Sequence, residues 1–147
     1  MAANVTKGVS YTWAFARMKQ AADSGYFLEA IAIAESVISD RLLSYIRSKG
    51  SKISVNQATV GALGKQLKER AFKTDDDAIM QLAADVQEWS CRRNVAVHAA
   101  AKSEPGTPTL PLTDFVRQAR DAARDGRILA RRVAKWHRET QKKDMSK

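Results

Sequence analysis

Three side chains that could act on a phosphodiester lie close together in "RRNVAVHAA", residues 92–100: Arg93, Asn94 and His98. An imidazole with an ordinary pKa of about 6.5 can accept or release a proton at neutral pH. A guanidinium can stabilise charge that develops on phosphate oxygens, and an amide can orient either group. Because RNA supplies its own nucleophile, the 2′-hydroxyl, this set of residues suits metal-independent RNA cleavage.

The arginine of this set falls on the apolar stripe of its predicted helix. That stripe steps by three and four residues, the spacing of one helix face, through Ile79, Leu82, Val86, Ser90, Arg93, Val97 and Ala100. An unpaired buried guanidinium costs several kcal/mol, so Arg93 must face an acid, a cleft or a second subunit.

The histidine lies elsewhere on the same helix. His98 is about 140° around the axis from Arg93 and about 7.5 Å along it, so a straight helix does not press the two together. Both could still reach a third body, such as a substrate phosphate or a groove formed with a second protomer. The spacing by itself fits an ordinary structural pair more readily than a site.

Two acids on an earlier helix are candidates to support this set. Glu35 and Asp40 lie beside the apolar face of the second predicted helix. Either could pair with Arg93 or orient His98, and both also fit as simple surface acids. Arg92 could contact RNA phosphate, although a solvated side chain is the simpler reading.

Other residues with reactive or stacking side chains are predicted to be structural. His137, on the basic last helix, is expected to be exposed, and Cys91 to be a small packing residue. Core or interface packing is favoured over base stacking for the three tryptophans, Trp13, Trp89 and Trp136. With no "HExxH", no histidine pair at ligand spacing and no glycine-rich phosphate loop, we predict neither a metal nor a cofactor.

Length and composition favour one cytoplasmic domain. The chain has 147 residues, one cysteine and a net charge of +9, and no apolar run approaches the 18 or so residues of a membrane span. Excess positive charge attracts polyanions such as nucleic acid. Residues 112–147 carry eleven Lys and Arg against five Asp and Glu, so most of the excess lies there.

The pattern of apolar residues predicts an all-α bundle of four or five helices. The first is expected to be capped by Ser10 and ended by Gly25, and the second to end at Gly50. A shorter helix is predicted from about residue 56 to 71, and a fourth from "TDDD" to about residue 101. The loop "SEPGTPTLPLTD" precedes a long last helix, which completes a single domain over residues 1–139, followed by a disordered basic tail over 140–147.

The last helix carries two opposed stripes. Phe115, Ala119 and Ala122 begin an apolar stripe that continues to Trp136. Arginines repeat the same rhythm two positions later, about 200° away, and so face outward from the packed side. The candidates to bind nucleic acid are Arg117, Arg120, Arg124, Arg127 and Arg131, with Arg138 continuing the stripe. A solvated basic face is the alternative.

The segment "RRNVAVH" resembles the signature of HEPN domains (higher eukaryotes and prokaryotes nucleotide-binding). That signature has an arginine, commonly followed by a polar residue, and a histidine after four to six intervening positions. Arg93, Asn94 and His98 occupy these places, and "EAIAIAESVISDRLLSYI" is similar to the long early helix of prokaryotic members. Ala100 stands where toxins controlled by nucleotidyltransferase antitoxins often carry a tyrosine, which argues against that mode of control.

The resemblance implies a helical, metal-independent endoribonuclease that acts as a homodimer, often as a toxin or antiviral defence effector. Arg93, Asn94 and His98 would be the catalytic residues, RNA the substrate, and an antitoxin or regulatory protein a further partner. The alternative hypothesis is a non-catalytic module that binds protein or nucleic acid through the basic last helix. A small nucleotide-binding regulatory domain is a third.

Overall fold

The computed structural model describes residues 5–99 and 111–146. Within these ranges it contains five α-helices and no β-strand, which confirms the predicted all-α bundle. The helices are α1 (Val5–Asp23), α2 (Phe27–Ser48), α3 (Val60–Thr74), α4 (Asp77–Ala99) and α5 (Leu112–Met145), with a short 3-10 helix at Val55–Gln57. The proline-containing loop and Ala100 lie outside the described residues. No helix in the described ranges is long and apolar enough to cross a membrane.

Glycines and short polar side chains set the helix ends. Gly25 and Gly50 follow α1 and α2, as predicted, with φ of 82° and 98°, which glycine adopts without a Cβ penalty. At the start of α3, the hydroxyl of Thr59 accepts a hydrogen bond at 3.1 Å from the amide three residues on, and Asp76 does the same for α4. The cap at Thr59 makes α3 begin at Val60, four residues later than the sequence predicts.

The first helix is longer than predicted. It begins at Val5, so Ser10 lies within α1 and does not cap it. The additional turn is joined to α2, because the ammonium of Lys7 lies 2.8 Å from the carboxylate of Asp40. The sequence analysis therefore placed the start of α1 too late, at a serine that could have capped it. The ion pair with Asp40 stabilises an additional turn that the local sequence does not predict.

The last helix also runs past its predicted end. α5 reaches Met145, so residues 140–145 are helical where a disordered basic tail is predicted. Lys49, at the end of α2, lies 3.2 Å from Asp144 and ties this turn to the bundle. Lys142 and Lys143 stand in the last turn, where positive charge favours the carbonyl end of a helix.

α2 is the central helix, with contacts to α1, α3 and α5. Its predicted apolar face is buried, as Ile31, Ile38 and Leu42 show. α3 packs along α4, and α4 in turn packs against α5. α4, which carries the candidate site residues, therefore contacts both α3 and α5.

A tryptophan and a glycine bring α4 and α5 close together. Trp89 is buried, and its indole nitrogen donates a hydrogen bond at 2.9 Å to the carbonyl of Ala122. A Cβ placed on Gly126 would lie 2.6 Å from the Trp89 ring, a distance that non-bonded carbons do not tolerate. The absence of a side chain at Gly126 thus lets the ring lie flush on α5, one turn before the candidate residues of α4.

Candidate active site

His98 lies near the carboxyl end of α4 with its side chain exposed to solvent. It forms neither a hydrogen bond nor an ion pair with any residue in the described part of the chain. A substrate would therefore not have to displace an internal partner to contact the imidazole, and a general acid or base needs such contact.

Arg93 is half-buried and faces an acid, one of the three environments expected for it. One of its terminal nitrogens lies 2.5 Å from the carboxylate of Glu35 on α2. The other donates a hydrogen bond at 2.7 Å to the side-chain oxygen of Asn94. The guanidinium is thus held between two helices, with 26% of the Arg93 side chain exposed and its Nε buried without a hydrogen-bond partner in the described part of the chain.

The two acids proposed as supporting residues have different positions. Glu35 pairs with Arg93. Asp40 does not: its carboxylate contacts Lys7, Tyr11 and Arg41. Asp40 is five residues beyond Glu35, about 140° further around α2, so the two acids cannot face the same neighbour. The prediction that Asp40 supports the arginine–histidine pair is therefore wrong.

A single chain does not bring the arginine and the histidine into contact. Arg93 is directed to α2 and Asn94, and no hydrogen bond joins these groups to the exposed His98 in the ranges the structure describes. The expected angular offset is thus present. The pair can act together only on a ligand that spans both side chains, or across a second copy of the chain.

The second histidine is buried, contrary to the prediction. His137 is 3% exposed; its Nδ1 lies 3.3 Å from a guanidinium nitrogen of Arg41 and its Nε2 lies 3.2 Å from the hydroxyl of Ser44. It follows Val133 at a four-residue step and so extends the buried stripe of α5. Burial, together with the charge of Arg41, lowers the pKa of His137 to about 4.

Tyr11, Asp40, Arg41, Ser44 and His137 form a polar cluster that joins α1, α2 and α5, which we call the His137 cluster. The Tyr11 hydroxyl donates to Asp40, and the guanidinium of Arg41 lies 4.8 Å from the centre of the Tyr11 ring. Burial and the Asp40 carboxylate raise the pKa of Tyr11. Burial opposes ionisation of Asp40, but hydrogen bonds from Lys7, Tyr11 and Arg41 outweigh it and lower the pKa of the carboxyl.

The arginine stripe of α5 faces away from the packed side, as predicted, but much of its charge is paired. Arg120 lies 3.9 Å from Asp121, and Arg124 lies 3.1 Å from Asp125. Arg117 is paired with Asp114 at 2.8 Å. Arg131 lies 5.8 Å from the centre of the Phe15 ring, and Arg127 is half-buried. Neighbouring aspartates thus weaken the attraction of this face for phosphate.

Arg92 is also paired, at 2.6 Å to Asp125 on α5. Next to it, Cys91 is exposed, not packed as predicted.

The three tryptophans have different environments. Trp89 is buried and Trp136 lies edge-on to Tyr45, with ring centres 4.6 Å apart, whereas Trp13 is 67% exposed. Core packing is therefore confirmed for Trp89 and in part for Trp136, whereas Trp13 lies outside the core and its packing at an interface stays a prediction.

Two further features were not identified in the sequence. One is the His137 cluster, because the burial of a histidine on a basic helix depends on which helix covers it. The other is a groove between α3 and α4 that contains Phe72 and three lysines. The spacing of Lys65, Lys68 and Phe72 is a signal that could have indicated it. Residues 5–99 and 111–146 contain no group of three or more His, Cys, Asp or Glu that could hold a metal ion.

No family model, curated protein or solved structure matches this chain.

Proposed function

We propose that this protein is a metal-independent endoribonuclease with His98, Arg93 and Asn94 as its catalytic residues. The observation that carries the proposal is the contrast between the two neighbours on α4. His98 is exposed and free of partners in the described structure, while Arg93 is fixed by Glu35 and Asn94 but still accessible. A free proton-transfer group beside an oriented cation is the minimum that RNA cleavage by the 2′-hydroxyl needs.

The proposed reaction starts with removal of the 2′-hydroxyl proton by the imidazole of His98. The 2′-oxygen forms a bond to phosphorus, and the bond from phosphorus to the 5′-oxygen breaks. The leaving oxygen takes a proton from water or from the imidazolium of a second protomer, so the products are a 2′,3′-cyclic phosphate and a 5′-hydroxyl. Arg93 has five N–H donors. Its Nε is buried, so the N–H groups of the two terminal nitrogens that Glu35 and Asn94 leave free stabilise the charge on the phosphate.

We further propose that the active form is a homodimer. The offset between Arg93 and His98 around α4 is better suited to a cleft between two chains than to a site within one. Together with the resemblance of "RRNVAVH" to the HEPN signature, this supports a role as a toxin or antiviral effector. An antitoxin or other regulatory protein would be its natural partner.

The test is to incubate labelled tRNA and mRNA with highly purified wild-type protein and the His98→Ala variant. We expect cleavage by the wild type, unchanged by EDTA, and loss of cleavage in the variant with folding retained. Substrate in which the 2′-hydroxyl is replaced by hydrogen should resist cleavage. Equal cleavage by wild type and variant would refute the proposal.

A second candidate function, a non-catalytic module that binds nucleic acid or protein through α5, is favoured by the exposure of Arg120 and Arg124 on one outward face. It predicts salt-sensitive binding that is weakened by Arg120→Ala with Arg127→Ala and is indifferent to His98→Ala. The ion pairs of this face with aspartates make it the weaker of the two proposals.

A further inference from the structure

A groove of about 500 Å³ runs along the seam between α3 and α4. Its walls are formed by Lys65, Lys68, Phe72 and Lys73 from α3 and by Met80 and Gln87 from α4. Glu69 is the one acid among the residues that line it. The groove therefore combines two apolar side chains, Phe72 and Met80, with three lysines.

The lysines of this groove differ from the arginines of α5 in having no acidic partner. Lys65, Lys68 and Lys73 form no ion pair with any residue in the described ranges, whereas Arg117, Arg120 and Arg124 of the α5 stripe do. Unpaired ammonium groups on a common rim attract an anionic partner without first breaking an internal contact. The groove is thus a more available anion-binding surface than the α5 stripe.

Phe72 is the second unusual feature of the groove. Its side chain is 80% exposed, more than that of any other aromatic residue in the described ranges. Met80, a flexible and polarisable neighbour, lies half-buried on the opposite wall. An exposed aromatic ring next to lysines is the combination that binds single-stranded nucleic acid, with bases stacked on the ring and phosphates held by the cations.

The groove shares a face of α4 with the candidate active site. Met80, Gln87 and Asn94 follow one another at seven-residue steps, and His98 comes one turn after Asn94. Seven residues return to nearly the same angle on a helix, so these four side chains lie along one line. The line extends about 27 Å from Met80 to His98 at 1.5 Å per residue. All four side chains are half-buried or exposed.

We propose that the α3–α4 groove binds a single-stranded segment of RNA and leads that strand to His98. Phe72 stacks on a base, Lys65, Lys68 and Lys73 contact phosphates, and Gln87 bonds to a base edge. This inference deepens the proposed function and rests on it for the role of His98. It specifies an unpaired strand several nucleotides long as the substrate class, because a duplex presents no free base to Phe72.

The test is the affinity of a fluorescent single-stranded oligoribonucleotide, measured by anisotropy in the His98→Ala background so that the probe is not cut. We expect Phe72→Ala to weaken binding roughly tenfold, within the range reported for loss of one stacked base. Lys65→Glu with Lys68→Glu should weaken it at least as much and reduce the salt dependence. The matched control, Lys19→Glu with Lys135→Glu, makes the same charge change on α1 and α5 and should have a much smaller effect.

These outcomes distinguish a failure of the groove proposal from a failure of the nuclease proposal. Unchanged affinity in both groove variants would overturn the inference, even if cleavage by the wild type still depends on His98. Equal loss in the groove variants and the charge control would overturn it as well, since net charge alone would then explain binding. Groove-dependent binding of an acidic amphipathic peptide in place of RNA would identify a protein-docking site instead. Groove-dependent RNA binding without any His98-dependent cleavage would support the strand site and refute the nuclease.

Discussion

The two histidines of this protein lie in opposite environments. His137 is sealed between α2 and α5, with Arg41 and Ser44 against its two ring nitrogens. His98 stands in solvent at the end of α4 and has no such partners in the described structure. His137 therefore joins two helices, whereas the imidazole of His98 is exposed to solvent.

This difference shows that a polar cluster is not by itself evidence of a site. The His137 cluster contains four titratable groups, and burial and neighbouring charges shift the pKa values of Tyr11, Asp40 and His137. Yet substrate has no access to His137, and the cluster can be explained by the need to satisfy polar atoms buried where three helices meet. Accessibility to solvent is therefore what separates the two regions.

The largest effect that we expect is on cleavage. His98→Gln should lower kcat/KM for RNA by about two to four orders of magnitude, the usual contribution of a general acid or base. His137→Gln should change it less than fivefold at a temperature where both variants are folded. The measurement is initial cleavage rate at several RNA concentrations. A larger loss for His137→Gln than for His98→Gln would reverse the comparison.

For the free energy of unfolding we expect the opposite order, with a larger effect at His137 than at His98. His137→Ala removes a buried ring, leaves a cavity, and strips Arg41 and Ser44 of a partner, so we expect a loss of about 3 kcal/mol in the free energy of unfolding. His98→Ala removes an exposed side chain and should change it by less than about 0.5 kcal/mol. Urea unfolding monitored by circular dichroism measures both. Equal losses would show that His98 is also structural.

The all-α bundle and the candidate site residues could be predicted from the sequence, because both predictions depend on local periodicity and spacing. The apolar stripes of α2 and α5 are where three-four repeats place them, and the acid expected for Arg93 is Glu35. The sequence was insufficient where contacts with a distant helix determine the structure. His137 is buried because Arg41 and Ser44 of α2 cover it, and residues 140–145 are helical with Asp144 tied to Lys49. Such contacts join residues about ninety positions apart, which no local pattern encodes.

The pH dependence of stability should come from the buried histidine. Its pKa is about 4 in the folded protein against an ordinary value of 6.5, so acid protonates the unfolded chain first. The stability from neutral His137 is thus complete above about pH 6.5 and decreases as pH falls towards 4. Between pH 7.5 and pH 5 we expect a loss of about 2 kcal/mol in the free energy of unfolding.

His137→Gln supplies the control, because it keeps a polar side chain but does not titrate. Its free energy of unfolding should be nearly flat across that interval. Asp40 does not interfere: its pKa is lowered from 3.8, so its contribution is lost only at more acidic pH. An unchanged slope in His137→Gln would assign the effect to other groups.

The smallest effect concerns the ion pair that holds Arg93. The side chains of Arg93 and Glu35 are 26% and 27% exposed, so solvent screens their attraction. We therefore expect a coupling free energy of only about 1 kcal/mol between them. A double-mutant cycle with Glu35→Gln and Arg93→Met measures it as a difference in unfolding free energies. The matched cycle replaces Glu35→Gln by Asp40→Asn and should give a coupling near zero, because Asp40 contacts Arg41, Tyr11 and Lys7 instead. If Asp40 couples to Arg93 as strongly as Glu35 does, the two polar regions form one network, and the separation between a structural cluster and an accessible site no longer holds.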